Sequence, residues 1–72
     1  MNDKTATEHA YETMQIAKRA MANAQTDDQM KAACLAADYA LMAKARAEDG
    51  DLQTVILIRN WAAAEEQRVR LG

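Results

Sequence analysis

The sequence predicts an all-α protein, and three observations lead to that prediction. The 72-residue chain has no proline and only two glycines, and it is rich in alanine, which is typical of helical proteins. Its apolar residues recur at spacings of three and four, the period of an amphipathic helix. Capping signals divide it into helices of about 5–24, 27–48 and 52–70. We therefore expect a single helical domain over residues 1–72, arranged as an antiparallel hairpin or bundle.

The first predicted helix begins with a capping box. Thr5 is followed three residues later by Glu8, and such a pair satisfies two free backbone N–H groups at a helix N-terminus. One side of the helix is a stripe of small and flexible apolar residues. This stripe consists of Ala10, Met14, Ala17, Met21 and Ala24. The opposite side is charged, so this helix is simply amphipathic.

The second predicted helix begins with Thr26 and Gln29, a second capping box. The residues before it include neither glycine nor proline, so one continuous helix of about 5–48, in a two-helix hairpin, is the alternative. A change of phase favours the break, because the next apolar stripe is out of step with the first. That stripe consists of Met30, Cys34, Ala37 and Leu41. We expect Cys34 to be a small buried residue rather than a nucleophile.

A second stripe on the same helix consists of Leu35, Tyr39, Met42 and Arg46. Aliphatic, aromatic and arginine side chains together are the composition that interface hot spots favour. We therefore predict these four residues, together with Arg59 of the third helix, as contacts to a partner protein.

The third predicted helix follows Gly50, which suits a left-handed helix end, and Asp51, which suits an N-cap. Its first half is apolar on nearly every side, as expected of a helix in a core or between partners. The residues predicted for the core or a dimer interface are Val55, Ile56, Leu57, Ile58 and Trp61.

The apolar side chains exceed what a chain of this size can bury by itself. One stripe per helix is enough for a three-helix bundle, and each large side chain left in water forgoes about 1.5–3 kcal/mol. A lone cysteine rules out an internal disulfide. Association of two copies is the remaining way to enlarge a small core. We therefore predict a homodimer, with contacts on the Trp61 side or on the Val55 and Ile58 side of the third helix.

The sequence shows no catalytic or cofactor motif. It has no serine, one histidine and one cysteine, and no glycine-rich phosphate loop. Paired acidic residues such as Asp27 and Asp28 stand at helix ends, where they complement the helix dipole. We predict that the protein is not an enzyme and that it binds neither a metal nor a cofactor.

Charge and hydropathy argue against nucleic-acid and membrane binding. The net charge is −2, and basic residues are interleaved with acidic ones instead of lying on one face. The N-terminal stretch has no apolar segment, and the run from Val55 to Ile58 is far shorter than a membrane span. We expect a cytoplasmic protein.

In size, acidic composition and helix-plus-hairpin layout, the whole chain resembles small phage-encoded host-takeover inhibitors of the quorum-sensing anti-activator type. The resemblance implies a location in the cytoplasm of a bacterial host. It also implies binding to the DNA-binding part of a LuxR-family transcriptional activator or to a pilus-assembly ATPase. A DNA-binding regulator and a purely structural helical subunit are the alternatives.

Overall fold

A computed structural model describes residues 4–72, which form three helices and no strand. The helices are α1 (Ala6–Asn23), α2 (Asp27–Glu48) and α3 (Leu52–Leu71). The all-α helical bundle is therefore confirmed, and each helix end lies within one residue of its predicted position. Residues 1–3 lie outside the described range. They belong to the predicted domain and to the N-terminal stretch that was predicted to have no apolar segment.

The break between α1 and α2 is made by polar side chains rather than by glycine or proline. Thr26 is extended, and its hydroxyl accepts a hydrogen bond from the Gln29 backbone N–H at 3.1 Å. The Gln29 side-chain oxygen in turn accepts from the N–H groups of Thr26, at 3.1 Å, and Gln25, at 2.7 Å. These bonds satisfy backbone donors that would otherwise lack partners at the helix start. The alternative of one continuous helix over residues 5–48 is wrong for this reason.

The turn between α2 and α3 follows the predicted chemistry. Gly50 has a φ of 73°, a conformation that residues with a Cβ rarely adopt. The Asp51 carboxylate accepts from the Thr54 N–H at 3.2 Å and caps α3. At the other end of this hairpin, the Gln29 side-chain amide donates to the Val69 carbonyl at 3.0 Å. The two helices therefore run antiparallel along their whole length.

The core contact of α2 is made mainly by a line of alanines that lies outside both predicted stripes, and Ala37 and Tyr39 of those stripes pack only at its margin. Its central residues are Ala33, Ala36, Ala40 and Ala43, all at most 1% exposed. The larger buried side chains come from α1 and α3, where Ile16, Ile58 and Val69 pack against this line or beside it. Methyl side chains allow neighbouring helices to approach closely, and α2 must contact both α1 and α3.

The predicted burial of Cys34 is wrong, because Cys34 is exposed. It lies in the stripe that begins at Met30 and ends at Leu41, and both of those residues are also exposed. The two apolar stripes of α2 therefore flank the buried alanine line. The helix contacts its neighbours along the line midway between the stripes, where the side chains are smallest.

Helices α1 and α3 run parallel and are joined by two ion pairs. Arg19 pairs with Glu66 through Nε–Oε2 at 2.8 Å, and Arg59 pairs with Glu12 through Nη1–Oε1 at 3.2 Å. Both pairs link residues 47 positions apart. This common offset fixes the register of α1 against α3.

Candidate protein-binding surface

Five large side chains lie on the outer side of the α2–α3 hairpin. We call them the aromatic face: Leu35, Tyr39 and Met42 of α2, with Leu57 and Trp61 of α3. The rings of Tyr39 and Trp61 meet between the helices, with centroids 5.8 Å apart and planes tilted by 49°. The other members lie one helical turn from these rings, so the face is continuous along both helices.

The aromatic face is substantially open to solvent. The exposed fractions of Leu35, Met42, Leu57 and Trp61 are 42%, 46%, 48% and 44%, and Tyr39 is half-buried. Single exposed apolar residues are normal on a protein surface, but a contiguous group of this size marks an interaction site. The alanine line of α2 explains the exposure. Because the alanines make most of the contact with the neighbouring helices, the larger side chains lie beside that contact and remain partly in solvent.

Glu65 lies at the base of this face and has an unusual environment. Its side chain is 9% exposed, and its Oε1 atom is buried without a hydrogen bond from any of residues 4–72. The nearest cation is the Arg68 guanidinium, whose Nη1 lies 3.5 Å from Oε1 and whose side chain is largely in solvent. A buried carboxylate oxygen without a hydrogen bond is costly, so Oε1 marks a place where a well-placed donor is missing.

A shallow cleft of about 300 Å³ connects Glu65 to the aromatic pair. It is lined by Tyr39, Trp61, Ala64, Glu65 and Arg68. A second cleft continues the surface toward the start of α2, and Leu35, Glu65 and Arg68 also line it. The carboxylate is therefore reached from the same side on which the apolar side chains are exposed.

The predicted partner-binding residues do not all lie together. Leu35, Tyr39 and Met42 share the aromatic face, and Arg46 lies one turn beyond Met42. Arg46 is 3.7 Å from the Asp49 carboxylate, and its side chain remains mostly exposed. Arg59, by contrast, lies at the opposite edge of α3 and pairs with Glu12.

The residues predicted for a core or dimer interface divide in the same way. Val55 and Ile58 are at most 1% exposed within the single chain. Ile56 is half-buried, and only Leu57 and Trp61 of this group belong to the aromatic face. Of the two sides of α3 predicted for a homodimer, the Val55 and Ile58 side is thus already used for folding.

Sequence reasoning missed Glu65, although a signal was available. Ile58, Ala62 and Val69 lie on one face of α3. Glu65 comes three residues after Ala62 and four before Val69, so helical spacing places it on the same face. A glutamate at such a position is predicted to be buried. The ordinary expectation for a glutamate near a helix C-terminus is exposure to solvent, and that expectation conceals the signal.

The opposite flank of α2 is also apolar but lacks a comparable polar group. Met30, Cys34 and Leu41 are exposed there, and Leu41 reaches an exposed fraction of 63%. A cleft of about 340 Å³ lies between α1 and α2 on this side. Its lining residues are Thr7, Ala10, Tyr11, Met14, Lys44, Ala47 and Glu48.

The carboxylates with lowered pKa values have structural roles. A hydrogen bond from Lys4 and, with a smaller effect, one from Arg59 hold the pKa of Glu12 below its usual value. The pKa values of Glu8 and Asp51 are lowered by the hydrogen bonds with which they cap α1 and α3. These carboxylates stabilise helix ends and the α1–α3 contact, and none lies on the aromatic face.

The described residues also bear on metal and membrane sites. Within residues 4–72, no group of three or more histidine, cysteine, aspartate or glutamate side chains is placed to hold a metal ion. In the same range, no helix is both long enough and apolar enough to cross a lipid bilayer.

Comparison with known proteins identifies no relative. The chain matches no protein family, no curated protein and no solved structure at a significant level.

Proposed function

We propose that this protein acts by binding another protein through its aromatic face and thereby occluding a functional surface of that partner. The observation that carries the proposal is the group of five large side chains on one side of a domain of 72 residues. Each forgoes part of the roughly 1.5–3 kcal/mol available from full burial. Aromatic and methionine side chains are also those that binding interfaces favour.

The arrangement of charge supports a protein partner rather than a nucleic acid. Arg19 and Arg59 are engaged by the carboxylates of Glu66 and Glu12. Arg68 and Arg46 each lie beside an acidic residue. Phosphate binding depends on basic side chains that are clustered and free of such neighbours.

For the partner we propose the DNA-binding part of a LuxR-family activator, with a pilus-assembly ATPase as the second candidate. This choice rests on the resemblance of the chain to phage-encoded anti-activators in size, composition and helical layout. A bundle with a preformed apolar face is suited to such a role, because little conformational entropy is lost when a rigid helix surface binds.

A mobility-shift assay with such an activator and its operator DNA tests the proposal. The protein should remove the activator–DNA band without shifting the DNA when it is added alone. Trp61→Ala should raise the concentration needed by about tenfold or more, as expected of an interface hot spot. Leu41→Ala, on the opposite flank of α2, is the matched control and should behave as the unaltered protein.

The other outcomes have distinct meanings. Direct and salt-sensitive binding of this protein to the duplex would favour the DNA-binding regulator. Growth into large assemblies with itself would favour a structural subunit. Sedimentation velocity tests the homodimer predicted from the sequence, and Trp61→Ala then shows whether a second copy occupies the aromatic face.

A further inference from the structure

We infer that the aromatic face receives a helix of the partner protein that carries one arginine or lysine, and that this cation pairs with Glu65. The inference rests on the proposed function, since it names the chemistry of the segment bound at the same surface.

The first reason is the unsatisfied carboxylate. The Glu65 side chain is more than nine-tenths buried, and Oε1 takes no hydrogen bond from the described part of the chain. Folding has therefore removed water from this oxygen without supplying a hydrogen bond in its place. A partner that inserts a cationic donor beside Glu65 supplies what the isolated chain lacks.

The second reason is the pair of rings beside the carboxylate. Tyr39 and Trp61 line the same cleft as Glu65. Their rings are inclined to one another with centroids 5.8 Å apart. The face of an aromatic ring attracts organic cations, and tryptophan does so most strongly. Two rings and a carboxylate around one cleft thus favour a guanidinium or ammonium group over a neutral side chain.

The third reason is the shape and polarity of the surroundings. Leu35 and Met42 extend the apolar surface along α2, and Leu57 extends it along α3. Two neighbouring antiparallel helices form a groove in which a third amphipathic helix can pack. The bound segment should therefore present apolar side chains to the face, with the basic residue between them.

Arg68 lies near the position proposed for the partner's cation but does not fill it. Its Nη1 lies 3.5 Å from Glu65 Oε1 and makes no hydrogen bond with that atom, and its side chain is 72% exposed. A side chain so weakly held can leave at little cost when a better placed donor arrives. Removal of Arg68 should consequently strengthen binding of a basic segment instead of weakening it.

The test uses the full chain and two designed peptides. Each is an alanine-based helix with leucines on one face, without tyrosine or tryptophan, and the two differ only in a central arginine or its neutral analogue citrulline. Trp61 is the only tryptophan of the protein, so its fluorescence reports occupation of the aromatic face. The arginine peptide should bind at least about tenfold more tightly, as expected for a hydrogen bond between charged groups.

Variants assign this preference to Glu65. Glu65→Gln should abolish the difference between the peptides while leaving the affinity for the citrulline peptide unchanged. Arg68→Ala should increase the affinity for the arginine peptide, and Leu41→Ala should change neither affinity. Circular dichroism checks that each variant is folded, and the Arg68 variant tests the inference even if Glu65→Gln does not fold.

Two results would overturn the inference in distinguishable ways. Equal affinities for the two peptides would show that the face binds apolar helices without a cation, which contradicts the role of Glu65 but not the proposed function. Failure of both peptides to bind, with a dimer that Trp61→Ala dissociates, would identify a second copy of the chain as the occupant. The activator assay would then decide the proposed function independently.

Discussion

Glu65 and Glu66 are neighbours on α3 and equally exposed, at 7% each, but they lie at opposite edges of that helix. Glu66 faces α1 and accepts two hydrogen bonds from Arg19, at 2.8 and 3.2 Å. Glu65 faces the α2 side, where apolar side chains remain uncovered and Oε1 accepts no hydrogen bond from residues 4–72. At the α1 edge, Arg19 and Arg59 are paired with carboxylates within one chain, whereas the α2 edge has the properties of half an interface.

Side chains at the α1 edge stabilise the fold, whereas those at the α2 edge are available to bind a partner. At the α1 edge, two arginine–carboxylate pairs hold the helices in register. At the α2 edge, alanine makes the helix contact and the larger side chains stand outside it. Four predictions test this separation, beginning with the largest expected effect.

Ile58 and Leu57 are adjacent on α3, but Ile58 is buried and Leu57 belongs to the aromatic face. Ile58→Ala should lower the free energy of unfolding by about 2–5 kcal/mol, because it opens a cavity in a small core. Leu57→Ala should lower it by less than about 1 kcal/mol. Urea unfolding followed by circular dichroism measures both. Similar losses for the two variants would mean that the aromatic face is part of the core.

Arg19 and Arg68 stand beside the two glutamates. Arg19→Ala should lower the free energy of unfolding by about 1–3 kcal/mol, because it leaves the buried Glu66 without its hydrogen bonds. Arg68→Ala should change it by about 0.5 kcal/mol or less, as for an exposed and poorly aligned pair. The same urea titrations provide the values, and a larger effect of Arg68 would contradict the distinction between the two edges.

Substitution of the two glutamates by glutamine should affect the free energy of unfolding differently. Glu66→Gln should lower the free energy of unfolding by about 1 kcal/mol, since it weakens hydrogen bonds that Arg19 makes to a charged acceptor. Glu65→Gln should leave stability unchanged or raise it, because it removes the charge of a carboxylate whose buried Oε1 accepts no hydrogen bond. Thermal melts of the two variants beside the unaltered protein check the sign of each effect. A clear loss for Glu65→Gln would indicate that Glu65 has a stabilising role in folding.

Acid should weaken the contact between α1 and α3 at the α1 edge. Lys4 and then Arg59 lower the pKa of Glu12 in the folded chain below the ordinary glutamate value of 4.5. A group with a lowered folded-state pKa contributes stability above its unfolded pKa and loses it as the pH falls through the folded value. Stability should therefore decline as the pH falls below 4.5. Glu12→Gln should flatten part of that decline in urea titrations performed across the acid range.

Part of the remaining pH dependence is expected from two helix caps. Glu8 and Asp51 also have lowered pKa values, because each is held by capping hydrogen bonds. They lose stability in the same direction, so the flattening by Glu12→Gln should be partial. An unchanged slope would show that the Lys4–Glu12–Arg59 contact does not contribute to folding.

Local sequence chemistry was sufficient to predict the three helices and their ends. Thr5, Thr26 and Asp51 cap their helices through bonds to residues three positions away. Such bonds depend on neighbours in sequence, so a pattern of residues identifies them without knowledge of the fold. The gathering of Leu35, Tyr39 and Met42 on one side of α2 was predictable for the same reason, since it follows from helical spacing.

Only the tertiary structure decided which strip of α2 is buried and which carboxylates are paired. Periodicity favoured the stripes with large side chains, but α2 packs between two helices, and close approach to both selects the alanine line. The arginine partners of Glu66 and Glu12 lie 47 positions away, a separation at which sequence spacing carries no information. Helix formation is local and was determined by the sequence alone. Burial of α2 and pairing of charges required the three helices to be assembled.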